Sequence, residues 1–296
     1  MSCDLSGRRA AVLGGDGREV EIVRALVQAG AVVRTCGLPP AGAAVAGTPA
    51  AATVAEAVAA AQIIICPIPL PQADGSIFAP QAGAKLIIDT ESLGGAAPGA
   101  LLITGKAGPQ MRAAAAALGL GLHEYEHEED LMLLRAPAIA EGAIRAAIAN
   151  TEVTLHGNPC LVVGFGKIAP TLAQMLRGLG ARVTVAARNP VQLARATAIG
   201  CETVPIIRLA EVAPQMAAIF NTAPALLFDR PLLEGLGPEN VIIDLSGPPG
   251  AVDWEAARSL GRKAVWARGL GGRASVTVGQ SQWFGIRRIL DAELGG

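Results

Sequence analysis

Residues 160–169, CLVVGFGKIA, constrain the fold more than any other stretch of this 296-residue chain. An apolar run enters Gly-Phe-Gly, and a helical pattern follows over residues 167–179. In this pattern Gly164 permits a tight turn, Gly166 lets a pyrophosphate approach the backbone, and Ala169 lets the helix lie close to the strand. Phosphates bind at such a helix N-terminus because its free N–H groups and its dipole attract anions. The stretch therefore predicts a dinucleotide-binding strand–turn–helix unit.

The end of the next strand, predicted over residues 181–186, indicates which dinucleotide binds. A site for NAD usually has Asp or Glu there, which accepts hydrogen bonds from the ribose hydroxyls. This chain has Ala187 and Arg188 instead, and a guanidinium can pair with the 2′-phosphate of NADP. We predict NADP, with the alternative that Arg188 is a solvated loop residue. The predicted cofactor-binding residues are Gly164, Phe165, Gly166, Lys167, Ile168, Ala187, Arg188, Asn221, Thr222, Ala223, Pro224 and Leu245.

Composition narrows the class of protein. Hydrophobic residues make up 51% of the chain and charged residues 17%, as is typical of an α/β protein with buried parallel strands. The formal net charge of −1 gives no electrostatic basis for binding nucleic acid or an anionic membrane. The five scattered cysteines have no metal-ligand spacing and indicate buried thiols in a reducing compartment. With no signal core and no apolar run of membrane length, we expect a cytoplasmic protein. Separately, we expect a homo-oligomer.

Strands and helices alternate along the whole chain, which predicts mostly parallel sheets. A second strand–glycine–helix unit begins with the strand predicted over residues 8–14. Its turn carries Asp16, whose carboxylate would repel a pyrophosphate, so we interpret it as a substrate-binding or structural turn. The predicted fold class is α/β, with two doubly wound, Rossmann-like domains joined by helices. The boundaries are a substrate domain over 1–125, an interdomain helix over 126–150, an NADP-binding domain over 151–275 and a C-terminal helix over 276–296 that returns to the first domain.

Several local patterns carry narrower expectations. Residues 86–89 read as a further strand, Pro137 is expected to break the interdomain helix, and Gly142 inside that helix indicates close approach of another element. His123 and His127 are four residues apart, a spacing that can hold a metal on one helix face. Neither a cysteine nor another histidine accompanies them, so we predict no metal and interpret the acidic segment around them as the charged start of a helix.

A set of short motifs recurs in a fixed order along the chain. They are GGDxR at 14–18, EDL at 129–131, AEG at 140–142, LHG at 155–157, GxG at 164–166, AR at 187–188, FNTxP at 220–224, IDLS at 243–246, PG at 249–250 and GLxG at 269–272. In this order they resemble the family of the dipicolinate synthase A subunit over nearly the whole length. The chain departs from that family's pattern at Ile139, at residues 167–169 and at residues 268–277, which bear on the cofactor turn and the expected substrate site.

The resemblance implies an NADP-dependent oxidation that yields pyridine-2,6-dicarboxylate (dipicolinate) during sporulation. The implied substrate is a dihydrodipicolinate, or its hydroxylated tetrahydro precursor, from the lysine pathway. The implied partner is flavoprotein-like, the B subunit of dipicolinate synthase. Candidate substrate-binding residues at predicted strand ends are Arg18, Thr104, Gly105, Lys106, Arg268 and Arg273. Asp16 or Glu141 is the candidate base, and the alternatives for these charged residues are solvated surface charges or helix caps.

Two other functions remain open at this point. D-2-Hydroxy-acid-type dehydrogenases share a two-domain layout but use a histidine late in the cofactor domain. The three histidines of this chain, His123, His127 and His156, all precede Gly164, which argues against that function. The other alternative is a catalytically silent NADP-binding subunit that scaffolds or regulates a partner.

Overall fold

The computed structural model describes residues 4–126 and 128–295. They form two compact units, each built around its own parallel sheet. The first unit comprises Met1–Met132 with Ala274–Gly296, and the second comprises Leu133–Arg273. The first unit is therefore discontinuous in sequence, because the second unit is inserted ahead of the last helix.

The central strands form where the sequence has short apolar runs, since a strand covered on both faces of a sheet must be apolar throughout, whereas the strands at the sheet edges also carry polar residues. In the first unit they are β1 (Arg9–Leu13), β2 (Val32–Cys36), β3 (Ile63–Ile65), β4 (Leu101–Thr104) and β5 (Gly121–Glu124). In the second unit they are β6 (Pro159–Val163), β7 (Arg182–Ala187), β8 (Glu202–Pro205), β9 (Ala218–Asn221), β10 (Val241–Asp244) and β11 (Lys263–Trp266).

Helices connect the strands on both faces of each sheet. They are α1 (Gly17–Gln28), α2 (Pro40–Ala46), α3 (Val54–Val58), α4 (Thr90–Leu93), α5 (Pro109–Leu118), α6 (Glu129–Asn150), α7 (Ala169–Gly178), α8 (Pro190–Ala198), α9 (Leu209–Val212), α10 (Arg230–Glu234), α11 (Trp254–Ser259) and α12 (Ser275–Leu294). The sequence pattern of α7 illustrates how they pack: Leu172, Ala173 and Leu176 are fully buried on one face of the helix.

The first unit has strand order β2-β1-β3-β4-β5, with parallel pairing throughout. This is the 2-1-3-4-5 order of flavodoxin-like sheets. The chain runs from β1 outward to β2 and then returns to β3 on the other side of β1. The topological switch point therefore lies between β1 and β3, and the crevice where ligands collect lies at the carboxyl ends of these strands.

The second unit has strand order β11-β10-β9-β6-β7-β8, again all parallel. Counted from β6, this is the 3-2-1-4-5-6 order of the dinucleotide-binding Rossmann sheet. β6 lies between β7 on one side and β9 on the other, so the switch point falls between β6 and β9. The predicted fold class, two doubly wound Rossmann-like parallel sheets, is confirmed.

Each unit has apolar clusters on both faces of its sheet. In the first unit, Ile64 and Leu102 belong to one cluster, and Ile63 and Ile103, whose side chains alternate to the opposite face, belong to the other. The second unit has the same two-sided arrangement, with Val162 on one face and Leu161 on the other. Sheets covered on both faces leave their carboxyl edges as the natural place for ligands.

Some local expectations are wrong, and the reasons are visible in the contacts. Residues 86–89 do not form a strand, because Ile87 makes a single isolated antiparallel bridge with Ser76 and the pairing does not extend to a ladder. Pro137 does not break α6, which is continuous from Glu129 to Asn150. Gly142 does mark a close approach: a Cβ built there would lie 3.0 Å from the Cβ of Leu270.

The thiols of the described residues are buried, as their scattered positions indicated. Cys36, Cys66, Cys160 and Cys201 are free and buried, while Cys3 lies outside the described residues. Burial raises the pKa of Cys66 to about 12 and that of Cys160 to about 11. Thiols of this kind behave as small apolar side chains. Within the described part of the chain, no helix combines the length and apolar character that crossing a bilayer requires.

Candidate functional site

The turn between β6 and α7 contains two glycines, Gly164 and Gly166, which are needed for different structural reasons. Gly164 has φ +82°, a left-handed conformation that favours glycine, and a Cβ there would lie 2.8 Å from Thr222 Oγ1. Gly166 is different, because a Cβ built on it would have no atom within 4 Å. Gly164 is therefore required by the protein's own packing, whereas the space beside Gly166 is open to a ligand.

The N-terminus of α7 follows directly. Ile168 occupies the N-cap position and provides no side-chain hydrogen bond, and Pro170 stands in the first turn. The first N–H groups of this ten-residue helix therefore have no side-chain acceptor, which is the arrangement that binds phosphate oxygens. Ala169 is fully buried against the sheet, as the glycine pattern predicted.

A cavity of about 600 Å³ extends along this turn within the second unit. Three segments provide most of its lining: the glycine turn, the start of the β7–α8 connection, and the loop after β9. The lining residues are Gly164, Phe165, Gly166, Arg188, Asn189, Gln192, Ile206, Thr222, Ala223, Pro224, Ala225 and Leu227. The predicted residues Lys167, Ile168, Ala187, Asn221 and Leu245 are not part of this lining. Lys167, Ala187 and Asn221 are each next to a lining residue in sequence.

Arg188 lies at the mouth of this cavity on the β7 side. Its side chain is exposed, and no carboxylate of the described residues forms an ion pair with it. The neighbouring Asn189 caps α8, since its Oδ1 accepts a hydrogen bond from Val191 N at 2.8 Å. The β7 end therefore offers a guanidinium and an amide-capped helix, and no acidic side chain that would accept bonds from ribose hydroxyls.

The loop after β9 lies on the opposite side of the glycine turn. Thr222 ties this loop to β6, because its N and its Oγ1 both donate to Val163 O, at 2.8 and 2.9 Å. Ala223 and Pro224 continue the cavity wall. Asn221 is fully buried beneath this loop and does not reach the cavity surface. Leu245, which follows β10, packs partly into the core and donates its N–H to Asn221 O at 2.9 Å.

In the first unit the turn after β1 carries an internal ion pair. Asp16 is the N-cap of α1, and its Oδ1 accepts from Arg18 N at 3.0 Å. The same carboxylate holds the Arg18 guanidinium in a two-pronged contact, with Nε–Oδ1 at 2.8 Å and Nη2–Oδ2 at 3.0 Å. The guanidinium also lies 6.0 Å from the ring centroid of Phe78. The candidate base and one candidate carboxylate-binding residue are therefore partners of each other.

Glu19 is a residue that the sequence interpretation missed. It completes a capping box with Asp16, since Glu19 Oε2 accepts from Asp16 N at 2.8 Å. Its side chain is fully buried, and within the described residues Oε1 has no hydrogen-bond partner. Burial raises the pKa of the Glu19 carboxyl to about 7, against the lowering effect of nearby Arg18. The signal was present as the D-x-x-E spacing of a capping box.

The segment after β4 lies at the same carboxyl edge of the first sheet. Thr104 is buried and its Oγ1 donates to Pro67 O at 3.3 Å. Gly105 packs so closely on the backbone of Ile68 that any Cβ would overlap it. Lys106 is partly exposed, and no acidic side chain of the described residues pairs with it. Of these three residues, only Lys106 offers an uncommitted polar side chain.

The remaining candidates lie in the second unit. Arg273 forms an ion pair with Glu141 on α6, which joins the other candidate base to another candidate carboxylate-binding residue. Arg268 follows β11, is exposed, and stacks over the ring of Trp266 at 4.9 Å from its centroid. Thus two of the three candidate arginines are neutralised by the two candidate bases, and the third rests on an aromatic ring.

Two of the three histidines, His123 and His156, lie within the described residues. His123 lies on β5 with its Nε2 3.7 Å from Glu293 Oε1, and His127 lies outside the described residues. His156 Nδ1 is 3.0 Å from Leu179 O, beyond the C-terminal end of α7 and away from the glycine turn. No group of three potential metal ligands occurs in the part of the chain that the structure describes.

The residues around the glycine turn fit a dinucleotide. The open space beside Gly166, the uncapped N-terminus of α7 and the cavity that joins them accommodate a pyrophosphate. The comparable turn in the first unit does not fit one, because Asp16 and Glu19 fill the N-terminus of α1 with carboxylates. The second unit thus has the geometry of a dinucleotide-binding unit in a Rossmann-type α/β fold.

Comparisons with known proteins agree with this class. Residues 9–126 match the family model of the N-terminal domain of the dipicolinate synthase A subunit. The dipicolinate synthase A subunit of Bacillus subtilis (strain 168) is 28% identical over 279 residues, which cover 93% of each chain. The crystal structure of the dipicolinate synthase A chain from Bacillus subtilis superposes with a TM-score of 0.85 at 27% identity, covering 99% of this chain and 98% of that one.

A more distant likeness concerns the fold alone. L-Alanine dehydrogenase matches with a TM-score of 0.63 at 16% identity, covering 96% of this chain and 90% of that one. Fold and site together therefore place this chain among the two-unit Rossmann-type α/β folds, a fold that a dehydrogenase also has. Within that class, the predicted resemblance is confirmed: the chain is similar to the dipicolinate synthase A subunit over nearly its whole length.

Proposed function

We propose that this chain binds NADP and oxidises a dihydrodipicolinate, or its hydroxylated tetrahydro precursor, to dipicolinate. The observation that carries the cofactor part is Arg188, an exposed guanidinium at the β7 side of a glycine-turn cavity in which no carboxylate takes the ribose position. The similarity to the dipicolinate synthase A subunit supports the choice of substrate.

The cofactor-binding residues divide by the part of NADP that each would hold. The backbone at Gly164–Gly166 and the N-terminus of α7 would bind the pyrophosphate, and Arg188 would pair with the 2′-phosphate. The loop Thr222–Pro224, on the β9 side, would lie against the nicotinamide half, because β7 and β9 flank β6 on opposite sides. When bound, the nicotinamide supplies a hydride acceptor, and the driving force is aromatisation of the substrate ring.

A dihydrodipicolinate loses one hydride and one proton from its ring, and the hydroxylated tetrahydro precursor loses one water in addition. The two carboxylates of either substrate need cationic partners. The proposed partners are Arg18, Lys106, Arg268 and Arg273, with the backbone at Thr104 and Gly105 beside Lys106. A carboxylate that binds Arg18 would share this guanidinium with Asp16, which would place Asp16 close enough to accept the ring proton. Glu141 has the same relation to Arg273.

The proposed partner, pathway and oligomeric state are based on the similarity to the dipicolinate synthase A subunit of Bacillus subtilis. The similarity to a protein named as the A subunit of dipicolinate synthase implies a B subunit, which we propose is a flavoprotein-like partner. A role in sporulation, on a branch of the lysine pathway in the cytoplasm, belongs to the same proposal, as does a homo-oligomeric state.

A second candidate function is a catalytically silent NADP-binding subunit that scaffolds or regulates a partner. The observation that favours it is the mutual neutralisation of Asp16 with Arg18 and of Glu141 with Arg273. Ion pairs of this kind can be purely structural, and they would then leave neither Asp16 nor Glu141 free to act as a base.

The experiment that separates these functions measures turnover and product binding together. NADPH formation from dihydrodipicolinate is followed with the chain alone and after addition of the B subunit, while dipicolinate binding to the NADP-loaded protein is titrated at low and high salt. We expect turnover, and binding that weakens with salt. Arg18→Ala and Arg268→Ala should each weaken dipicolinate binding and spare NADP affinity. Arg24→Ala, on the exposed side of α1, should change neither affinity. Absence of turnover under both conditions, with no effect of either substitution, would establish the silent subunit instead.

A further inference from the structure

A fully buried carboxylate, Asp244, lies at the end of β10 with no basic side chain beside it among the described residues. Its Oδ1 accepts hydrogen bonds from Asn221 Nδ2 at 2.8 Å, from Ser246 N at 3.0 Å and from Ser246 Oγ at 2.7 Å. Its Oδ2 accepts from Ala251 N at 2.8 Å. A buried carboxylate is tolerated only where donors satisfy its oxygens, and here four donors from three segments converge on one side chain.

The contact with Asn221 determines how the Asn221 amide is oriented. An ionised carboxylate can only accept hydrogen bonds, so the amide nitrogen of Asn221 must face Asp244, and the amide oxygen must face away. That oxygen accepts from Ala223 N at 3.2 Å, while the nitrogen also donates to Ala223 O at 3.0 Å. Asn221 therefore hydrogen-bonds to both the N–H and the carbonyl of Ala223. Its amide nitrogen and oxygen are oriented correctly for these two bonds because the nitrogen also donates to Asp244.

The segment held in this way is part of the cavity wall. Ala223 lines the cavity between Thr222 and Pro224, and its N atom would lie 3.3 Å from a Cβ on Gly164. The loop is thus seated on the glycine turn on the β9 side, opposite Arg188. Asn221 itself is fully buried, and its amide is fully used by protein partners.

We infer that Asp244 and Asn221 are a positioning pair that fixes the Thr222–Pro224 loop as the seat of the nicotinamide half of the cofactor, without touching the cofactor. This rests on the proposed function, which places NADP in this cavity with its adenosine half at Arg188. It reassigns Asn221 from a cofactor contact to a residue that acts through Ala223. It also gives a role to Asp244, which had none in the sequence interpretation.

NADP and its adenosine half should respond differently when the Thr222–Pro224 loop is disturbed. Adenosine 2′,5′-bisphosphate contains the adenosine and the 2′-phosphate and lacks the nicotinamide. A variant that disturbs only the Thr222–Pro224 loop should weaken NADP and leave this half-cofactor unaffected. A general defect in the fold of the second unit would weaken both ligands equally, so the comparison separates positioning from simple stability.

Asp244→Asn is the direct variant. An amide has only one oxygen, so its nitrogen must face either Ala251 N–H or the three donors at the other position, and a donor then opposes a donor. Asn221→Ala is the milder second variant, because it leaves Asp244 with three of its donors. Asp253→Asn is the matched control: Asp253 caps α11 through Ala256 N at 2.9 Å, and Asn is an equally good cap.

The experiment is titration calorimetry of NADP and of adenosine 2′,5′-bisphosphate with the full chain. Loss of a hydrogen bond to a charged group corresponds to a change of about ten-fold in affinity, so Asp244→Asn and Asn221→Ala should each weaken NADP by about ten-fold. Both should bind the half-cofactor as the unmodified chain does, and Asp253→Asn should bind both ligands normally. Unchanged NADP affinity in both variants, or equal weakening of both ligands, would overturn the inference. An unmodified chain that binds neither ligand would overturn the proposed function and the inference with it.

Discussion

Arg188 and Glu19 are ionisable side chains in opposite surroundings. Arg188 is exposed beside a cavity and lacks an acidic partner among the described residues, so its charge is available to a ligand. Glu19 is fully buried, and its charge is opposed by the protein around it. The first residue was identifiable from its place after a strand. The second was not singled out, because burial of a capping-box side chain depends on packing that no local pattern specifies.

Arg188→Ala should change cofactor preference. The guanidinium would make a charge-assisted contact with the 2′-phosphate, worth roughly 1.5–3 kcal/mol, so NADP should bind about ten-fold or more weakly while NAD is barely affected. Calorimetric titration of both cofactors measures this. Arg195→Ala on the exposed part of α8 is the control and should change neither affinity. An equal loss for NADP and NAD would contradict the assignment of Arg188.

Glu19→Gln should change how stability depends on pH. The folded-state pKa of about 7 lies above the ordinary value of 4.5, so the folded chain holds this proton more tightly than the unfolded chain. The stabilisation is complete below pH 4.5 and is lost as the pH rises to about 7, by up to about 3 kcal/mol. The variant, which cannot ionise there, should lose less stability across this range.

The measurement is urea unfolding at pH 5 and pH 8, with hydrogen–deuterium pulse labelling of α1 as the signal for the first unit. Glu21→Gln, a carboxylate-to-amide change two residues along the same helix, serves as the matched control. If the native chain and Glu19→Gln lose the same stability between the two pH values, burial does not raise the pKa of the Glu19 carboxyl.

At the scale of elements, the β6–turn–α7 unit was well predicted, and the reason is local. A glycine pattern between an apolar run and an amphipathic helix specifies geometry through backbone sterics alone. Residues 86–89 were predicted wrongly because an apolar run becomes a strand only if a neighbour offers pairing along its length, and Ser76 offers a single bridge. The pairing of Glu141 with Arg273 joins residues 132 positions apart, which no local pattern indicates.

Gly166→Val should abolish binding of NADP and NAD alike while leaving the protein folded. A Cβ at this position meets no protein atom within 4 Å, so the added side chain would enter only the space proposed for the pyrophosphate. Gly178→Val, at the far end of α7 and equally open, is the control and should bind normally. A folded Gly166→Val protein that retains cofactor affinity would show that the phosphates bind elsewhere.

Gly164→Ala should act on stability. Its φ of +82° and the 2.8 Å separation between its added Cβ and Thr222 Oγ1 make the substitution strained as well as crowded. We expect a loss of more than about 1 kcal/mol in the free energy of unfolding, seen in urea unfolding of the second unit. An unchanged midpoint would mean that the turn relaxes without strain. Of the two glycines in this motif, Gly164 is therefore expected to matter for stability and Gly166 for cofactor binding.

At the scale of the whole molecule, two strand–glycine–helix turns are candidates for one cofactor. The turn in the second unit precedes a helix whose first N–H groups have no side-chain cap, whereas the turn in the first unit precedes α1, which Asp16 and Glu19 cap with carboxylates. Sequence alone already disfavoured the first turn through Asp16. It could not show that Glu19 is buried there as well.

Hydrogen–deuterium exchange with and without NADP should distinguish the turns. A ligand at one hundred times its dissociation constant stabilises the structure that binds it by about 2.7 kcal/mol. Slower exchange should therefore concentrate in residues 164–172 and in the Thr222–Pro224 loop. The comparison region is residues 14–20, and protection that appears there instead would move the cofactor site to the first unit.

The discontinuity of the first unit has a consequence for biosynthesis. The second unit is a continuous segment, and all of its strands are synthesised before α12. The first unit begins earlier but finishes later, because Ile286 and Leu290 of α12 belong to its core beside α1. Until α12 emerges and packs, the part of the core that it covers faces water. The unit that is translated first is thus the one completed last, and its nascent form is the one that most needs protection from aggregation.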